Sequence, residues 1–299
     1  MAFVTGTANS FADLLAAVQN ACTANGYVLT GSVLSKGTLF AEVANIAQTY
    51  PRLGVQCGTT QAAGVLSGRS DVGKATLGFA TTGATLGVNP FSFPMTYNIH
   101  ILTNPDEVYL VVNYGITMYQ YIAFGQSTTA GLTGSGNWYA GADVALNDQK
   151  SSMDVRAQGG YMQSSGTMNA GLFQGLVGYP PSQNGAIDHK LDSATWAVEG
   201  AWRDAFTLMQ NSPNAWNGEA PLIPVTVYAS RPSTLVSCVA ELGHARFVMI
   251  DNLNDQQIIT LGADKWKVYP WWKRSARGNT LTNTPGTGTF GHAIRYDGP

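Results

Sequence analysis

Apolar residues alternate with polar ones along much of this chain, a pattern typical of half-buried β-strands. The clearest stretch is Phe91–Gly125, where β-branched and aromatic residues dominate and the segment NPDE at residues 104–107 predicts a turn. We expect an antiparallel meander there. Shorter runs between Tyr27 and Tyr50, with a turn at Lys36-Gly37, predict further strands. Late strands are predicted at Ile223–Ala229, Leu235–Val239, Phe247–Ile250 and Ile258–Leu261.

Helical periodicity is confined to two segments. In residues 10–22, Ser10 can cap a helix and Asp13 follows three positions later, as in a capping box. In residues 192–209, apolar and charged residues fall on different sides of a helix, and Pro213 prevents its continuation. The predicted fold class is therefore α+β: predominantly antiparallel β-structure with two main helices.

Long stretches of small residues separate these elements. Residues 54–90 and 126–190 are rich in Gly, Thr, Ala and Ser, and we expect long glycine-rich loops on a scaffold. Such loops are common where binding or assembly contacts lie. The pattern predicts a single β-rich domain over residues 1–299, with a possible subdivision near residue 190.

Charge is scarce in this sequence. Charged residues make up 11% of the chain, against about 25% in an ordinary domain, while 44% of residues are hydrophobic. The cores of protein interfaces are depleted in charge and enriched in aromatic residues. We therefore expect much of the surface to contact other protein. The net charge of −2 disfavours nucleic acid as a partner.

Candidate chemistry is weak throughout the chain. No apolar run approaches the ~18 residues of a membrane span, and the N-terminus has no secretory signal pattern. The three cysteines and four histidines lack metal-ligand spacing, so no cofactor is predicted and we expect mostly buried, reduced thiols. No G-x-S-x-G motif surrounds a serine. We do not expect an enzyme.

One segment imitates a nucleotide-binding loop. Gly68–Ala75 reads GRSDVGKA and nearly matches the P-loop, but Ala75 stands where a Ser or Thr hydroxyl would bind Mg²⁺. The flanking residues also lack a clean strand before the loop and a helix after it. A glycine-rich loop is the preferred interpretation.

The densest group of aromatic and basic residues lies in Leu261–Pro299. Strand alternation predicts Trp266 and Val268 on one face and Lys267 on the other, and Pro270 ends the strand. We therefore predict two late strands joined by a Gly/Thr-rich connection. The residues expected to contact a neighbouring subunit are Trp271, Trp272, Lys273, Arg274 and Arg277.

A different class of function remains open for the aromatic residues. Planar rings beside polar groups can stack on sugars, and such a site needs at least two exposed, co-planar rings. The chain would then be a receptor-recognition module that binds host-surface glycan. The candidate glycan-binding residues are Trp138, Tyr139, Trp271 and Trp272.

Three blocks of sequence, in this order, carry a family resemblance. They read MAFVTGTANSFADLLAAVQNAC…GYVLTGSVLSKGTLFAEV, then TNPDEVYLVVNYGITMYQYIAFGQS…GSGNWY, then IITLGADKWKVYPWWKR…GTFGHAIRYDGP. In overall pattern the chain resembles virion structural proteins of tailed bacteriophages. The resemblance implies a tail or head-tail subunit that is assembled in the host cytoplasm, resides in the virion, and contacts copies of itself and other virion proteins. It implies no catalytic residue.

Overall fold

The computed structural model of the chain describes a defined set of residues. Within them the chain forms one α-helix, a short 3-10 helix at Pro232–Thr234, three larger sheets and a small two-stranded hairpin. The described residues are 1–47, 51–69, 73–80, 93–115, 118–129, 133–141, 144–145, 185–191, 196–197, 220–250, 252–270 and 290–299.

The first sheet contains the predicted meander. Its order is β1 (Ala2–Ala8), β9 (Met95–Leu102), β10 (Glu107–Gly115), β11 (Met118–Gln126), β12 (Asn137–Gly141), β14 (Gly185–Asp188) and β15 (Trp196–Ala197). Every neighbouring pair in it is antiparallel. The meander prediction is therefore confirmed, and the N-terminal strand β1 pairs with β9 along its whole length.

The second sheet includes strands in the range where a long loop, residues 54–90, was predicted. Its order is β13 (Val144–Ala145), β8 (Ala75–Ala80), β5 (Arg52–Gly58), β4 (Leu39–Ile46), β3 (Val33–Lys36) and β2 (Val28–Thr30), and the nearby hairpin joins β6 (Thr60–Ala62) to β7 (Val65–Ser67). The described part of residues 54–90 thus consists largely of strands, and the prediction of a long loop there was wrong. Small residues were mistaken for loop residues because they allow close packing: a Cβ on Gly58 would lie 2.4 Å from the Ser67 carbonyl oxygen.

The third sheet is formed by the C-terminal strands. Its order is β16 (Ile223–Arg231), β17 (Leu235–Met249), β20 (Phe290–Arg295), β19 (Asp264–Pro270) and β18 (Ile258–Leu261). The two predicted strands at Leu235–Val239 and Phe247–Ile250 fall on one long strand, β17, which ends at Met249. The prediction of two late strands is confirmed, since β19 and β20 are strands that pair with each other.

One of the two predicted helices is confirmed. Helix α1 (Phe11–Thr23) begins after Ser10, whose hydroxyl accepts a hydrogen bond from the Asp13 N–H at 3.0 Å. The Asp13 carboxylate accepts from the Asn9 N–H at 2.8 Å, which completes the cap. Within the described part of the chain, no helix is long and apolar enough to cross a membrane.

The second helix prediction, over residues 192–209, is contradicted where the structure describes it. Trp196 and Ala197 lie in β15 and pair with Asp188 and Ile187 of β14. Cross-strand pairing overrides the helical periodicity at these positions. The rest of this range lies outside the described residues, as do most of residues 142–184 in the second predicted loop. The possible boundary near residue 190 falls between two strands of the same sheet.

Both faces of the first sheet are apolar, and each is buried by a different part of the protein. Val108, Leu110 and Val112 share a buried cluster with Leu14 of α1 and Val55 of the second sheet. Successive residues of a strand point to opposite faces, so Tyr109 and Val111 face the other way. Both of these residues are buried too.

The third sheet covers this other face of the first sheet. Tyr269 of β19 and His292 of β20 contact residues of β9 and β11, as described below. Trp266 and Val268 lie on the opposite face of the third sheet in a separate cluster with Val248, as the alternation predicted. The first sheet is thus the middle layer, with α1 and the second sheet on one face and the third sheet on the other.

Candidate functional site

Buried polar side chains connect the first sheet to the third. We call the group formed by His100, Glu107, Tyr121, Tyr269 and His292 the polar junction. All five side chains are fully or almost fully buried. Burying polar groups costs free energy unless each finds a hydrogen-bonding partner. The partners described below therefore fix the position of one sheet on the other.

His100, on β9, binds two groups of the third sheet. Its Nδ1 lies 3.0 Å from the carbonyl oxygen of Arg295, and its Nε2 lies 2.8 Å from the hydroxyl oxygen of Tyr269. Because a carbonyl oxygen only accepts, Nδ1 must carry the proton and donate it. In the neutral ring, Nε2 then accepts from the Tyr269 hydroxyl. Burial lowers the pKa of His100 to about 3, which keeps this neutral tautomer at neutral pH.

Glu107, the first residue of β10, holds the long strand β17. Its Oε1 accepts from the Gly243 N–H at 2.8 Å, and its Oε2 accepts from the His244 N–H at 2.9 Å and from the Tyr109 hydroxyl at 2.6 Å. Both oxygens are thus satisfied by groups of the protein. The His244 ring reaches back to the Pro105 carbonyl oxygen at 3.1 Å, so this link runs in both directions.

The ionisation of Glu107 reflects two opposing effects. Burial raises the pKa of its carboxyl to about 7, while the donors from Tyr109, Gly243 and His244 oppose the rise. From the sequence, Asp106 and Glu107 were both assigned to a turn. Asp106 does lie in the turn and forms a 2.7 Å ion pair with Lys36, but Glu107 is a buried strand residue. Two of its three donors come from residues more than 130 positions away, which no local pattern indicates.

Tyr121 and His292 extend the polar junction towards β11. The Tyr121 hydroxyl donates to the carbonyl oxygen of Pro270, the last residue of β19. The ring of His292 meets the Tyr121 ring at a centroid distance of 5.3 Å and 77°, an edge-to-face arrangement. Burial lowers the pKa of His292 to about 3. The only sequence signal for the buried histidines was their position within apolar strand patterns, NIHIL and FGHAIR.

A group of cation–π contacts also joins the first sheet to the third. The ammonium of Lys267 lies 4.5 Å from the ring centroid of Phe3 and 5.4 Å from that of Tyr296. Phe3 and Tyr296 contact each other edge to face at 4.8 Å. Cation–π contacts contribute on the order of 0.5–1 kcal/mol at exposed sites. This group attaches the N-terminal strand to the last two strands of the chain.

Metal-binding groups are not assembled in the described residues: they contain no cluster of three or more His, Cys, Asp or Glu side chains able to hold an ion. Cys22 and Cys57 are buried, and burial raises the pKa of the Cys22 thiol to about 12. These thiols have the low reactivity expected of core residues. Cys238 is exposed, so two of the three thiols are buried, in agreement with the expectation of mostly buried thiols.

The segment that resembles a P-loop is built differently from one. Lys74, which would bind phosphate, forms a 2.9 Å ion pair with Glu42. Ala75 begins strand β8, and the carbonyl oxygen of Gly73 accepts from the Tyr139 hydroxyl at 2.6 Å. Residues 70–72 lie outside the described set. The described residues of this segment are used to build the fold.

Two of the candidate glycan-binding residues are in the core. Trp138 and Tyr139 are adjacent on β12 and fully buried. Alternation directs them to opposite faces of the first sheet: Trp138 contacts Tyr109 on the face covered by the third sheet, while Tyr139 joins the cluster against the second sheet. The prediction of exposed, co-planar rings at these two positions was therefore wrong.

The other predicted contact residues lie in the connection between β19 and β20. The described ends of that connection are adjacent, because Pro270 pairs with Gly291. All five residues predicted to contact a neighbouring subunit lie outside the described residues: Trp271, Trp272, Lys273, Arg274 and Arg277.

An exposed apolar edge lies at one end of the third sheet. Strand β18 is the last strand of the third sheet. Ile258 is 42% exposed and Leu261 is 60% exposed. No charged residue occurs from Gln256 through Ala263. Natural sheet edges are commonly protected by charge, by proline or by bulges; within Ile258–Leu261 there is no charge and no proline, and the register with β19 is unbroken.

No protein-family model and no curated protein matches this sequence.

Proposed function

We propose that this chain is a structural subunit of a tailed-phage virion, in the tail or head-tail region, that associates with copies of itself and with other virion proteins. The family resemblance of the three sequence blocks supports this function. The low charge of 11% also supports it, since a surface that becomes buried in an assembly avoids the desolvation cost of ions. Assembly would take place in the host cytoplasm, and the mature location would be the virion.

The observation that carries the proposal is the exposed, uncharged edge at β18. Ile258 and Leu261 present apolar side chains beside backbone groups at the end of a sheet. An edge of this kind is a template for pairing with another chain. In a subunit that works by association, such an edge has a use.

The polar junction supports a mechanical role for the subunit. Glu107 and His100 each bind groups of the third sheet from the first sheet. Fully satisfied buried networks make a structure rigid and select one arrangement of its layers. Because their oxygen and nitrogen atoms are engaged within the protein, we assign these residues no catalytic or cofactor-binding role.

Host-glycan recognition is the weaker alternative. Two of its four rings, Trp138 and Tyr139, are buried on opposite faces of one sheet. The other two, Trp271 and Trp272, lie outside the described residues. No observation on the described residues favours it.

The test of the proposed function is the protein content of purified virions. Mass spectrometry of gradient-purified particles should detect this chain at a fixed number of copies per particle, and washing the particles with high salt should not remove it. The matched control is the same measurement on the particle-free fraction of the lysate. A chain that is absent from particles and strictly monomeric in solution would contradict the proposal.

A further inference from the structure

We propose that β18 pairs with β18 of a second copy of this chain, antiparallel and across a two-fold axis, so that the third sheets of two copies form one continuous sheet. The inference rests on the proposed function and names the partner of the edge described above. It is carried by the direction of the backbone groups, by the contrast between the two edges of the third sheet, and by the side chains of β18.

The backbone direction follows from hydrogen bonds on β19. The Lys265 carbonyl oxygen accepts from the Tyr296 N–H at 2.8 Å, so Lys265 directs its backbone groups away from β18. The Val268 N–H donates to the Gln257 carbonyl oxygen at 2.9 Å, so Val268 directs its groups towards β18. Alternation then makes Ile259 and Trp266 a hydrogen-bonded pair.

The remaining backbone groups of β18 point outward. In the register of β18 with β19, Ile258 and Thr260 are the residues of the non-hydrogen-bonded pairs. Among the strands that the structure describes, β18 pairs with β19 alone. The N–H and C=O groups of Ile258 and Thr260 are therefore available to a strand from outside.

The opposite edge of the third sheet is unsuited to receive β18. Its strand β16 contains Pro224, which has no N–H to donate. The register of β16 with β17 also shifts twice, between Pro224 and Thr226 and between Val227 and Tyr228. Bulges and proline protect an edge from pairing. Head-to-tail growth from β18 of one copy to β16 of the next is thus disfavoured, whereas pairing of like edges is not.

The side chains of β18 are compatible with their own copies. The outward residues pair best with Ile258 opposite Thr260 of the second copy, and this register places Ile259 opposite Ile259 at the two-fold axis. Each of the two Ile258–Thr260 pairs would exchange two backbone hydrogen bonds. Ile259 packs against the cluster that contains Trp266, so this apolar face would continue across the axis.

Charge does not oppose this register. It places Asp255 opposite Ala263 of the second copy, and residues 256–262 between them are uncharged. Like charges directly opposite each other destabilise a strand pair, and none meet here. An isologous contact of this kind closes as a dimer, which larger assemblies can use as a building unit.

The register is tested by cysteine cross-linking of the full chain. All variants carry Cys238→Ser, which removes the exposed native thiol and leaves only the buried Cys22 and Cys57. Ile259→Cys should form a disulfide-linked dimer under mild oxidation, because residues opposite each other in a non-hydrogen-bonded pair have Cβ atoms about 4.5–5.5 Å apart.

Matched cysteine controls define the register further. Ile258→Cys alone should cross-link much less than Ile259→Cys, since its own counterpart lies further away in the second copy. A mixture of Ile258→Cys and Thr260→Cys chains should cross-link as a heterodimer. Equal cross-linking of the Ile258→Cys and Ile259→Cys chains, or none of any variant, would overturn the proposed pairing.

A charge variant tests the same contact without cysteine. Thr260→Lys adds a cation at an exposed position of the edge and should weaken dimerisation about tenfold or more, measured by sedimentation equilibrium. Val65→Lys is the matched control, since Val65 is 66% exposed on the separate β6–β7 hairpin, and it should leave the dimer intact. Circular dichroism checks that both variants fold.

The outcomes separate this inference from the proposed function. A chain that is present in virions, but neither cross-links at residue 259 nor responds to Thr260→Lys, would overturn strand pairing and leave the virion role standing. A chain that cross-links as expected but is absent from virions would overturn the virion role and leave the strand pairing standing.

Discussion

His100 and Tyr269 meet at 2.8 Å between the imidazole Nε2 and the hydroxyl oxygen, inside the contact between the first and third sheets. The two residues are 169 positions apart in the chain. Because Nδ1 of the same ring is committed to the Arg295 carbonyl oxygen, the Tyr269 hydroxyl is the donor in this hydrogen bond. The contact therefore sets the tautomer of the histidine and the position of one sheet on another.

Removing the Tyr269 hydroxyl should destabilise the protein measurably. Tyr269→Phe leaves the buried His100 Nε2 without its donor, at an expected cost of about 1–3 kcal/mol in the free energy of unfolding. Urea denaturation followed by tryptophan fluorescence measures the change. The matched control is Tyr296→Phe, because among the described residues the Tyr296 hydroxyl donates only to the carbonyl oxygen of Pro299. Equal losses in the two variants would contradict the role given to Tyr269.

Stability should have a maximum near pH 6.5. The pKa values of His100 and His292 are lowered from 6.5 to about 3, so the unfolded chain binds more protons than the folded one between these values. The pKa of Glu107 is raised from 4.5 to about 7, so there the folded chain binds more protons. From these three groups, the two histidines outweigh the one glutamate. The free energy of unfolding should therefore fall by about 1.4 kcal/mol per pH unit as the pH falls from 6.5 to 4.5.

Above pH 6.5 only Glu107 contributes from this set, and stability should decline slightly up to pH 7. Denaturant titrations at half-unit intervals from pH 4.5 to 8 provide the curve. His292→Phe keeps an aromatic ring and removes one titrating group, so it should flatten the acid side. An unchanged slope in this variant would show that His292 is protonated normally in the folded state.

Replacing Glu107 tests the link to β17. Glu107→Gln puts an amide NH₂ where the carboxylate accepts from N–H and O–H donors, and should cost about 1–3 kcal/mol at pH 8. It should also steepen the acid-side loss, because the opposing proton uptake disappears. The neighbouring Asp106→Asn is the control: it breaks only a partly exposed ion pair with Lys36, worth less than about 1 kcal/mol.

Close packing at Gly243 gives a steric prediction. A Cβ at this position would lie 2.6 Å from the Pro105 Cδ, so Gly243→Ala must displace β17 from Glu107 and should destabilise by about 1–3 kcal/mol. Gly115→Ala is the strand control, since its nearest neighbour would be the Met118 sulfur at an ordinary 3.4 Å. Thermal unfolding of the two variants provides the comparison, and a fully stable Gly243→Ala protein would contradict the close approach.

Local patterns predicted some elements well and failed at others for identifiable reasons. The α1 cap at Ser10 and the faces of Trp266 and Val268 depend on neighbours within four positions, and both were predicted. The strands within residues 54–90 were missed, because glycine is generally depleted in strands, whereas at Gly58 the close approach of Ser67 leaves no room for a side chain. The assignment of Trp196 to a helix failed because its pairing partner, Asp188, is set by the sheet.

The candidate site shows the same division. Aromatic residues at 138 and 139 suggested a sugar platform, yet the covering of both faces of β12 places one ring in each of two cores. The exposed edge at β18 was predicted as a strand, but its place at the end of a sheet was not. A strand is an edge when no other strand pairs with one of its two sides. The sequence pattern of such a strand does not differ from that of a strand in the middle of a sheet.

By itself, the sequence determined a charge-poor, mainly antiparallel β-protein with an N-terminal helix, because alternation, capping and composition act over a few residues or over the whole chain. Only the tertiary structure decided that His100 and Glu107 join two sheets, that Trp138 and Tyr139 are buried, and that β18 forms an edge. Those properties depend on contacts between distant residues, such as His100 and Tyr269 at 169 positions, and on the layer that covers each face, and neither is encoded in any local period.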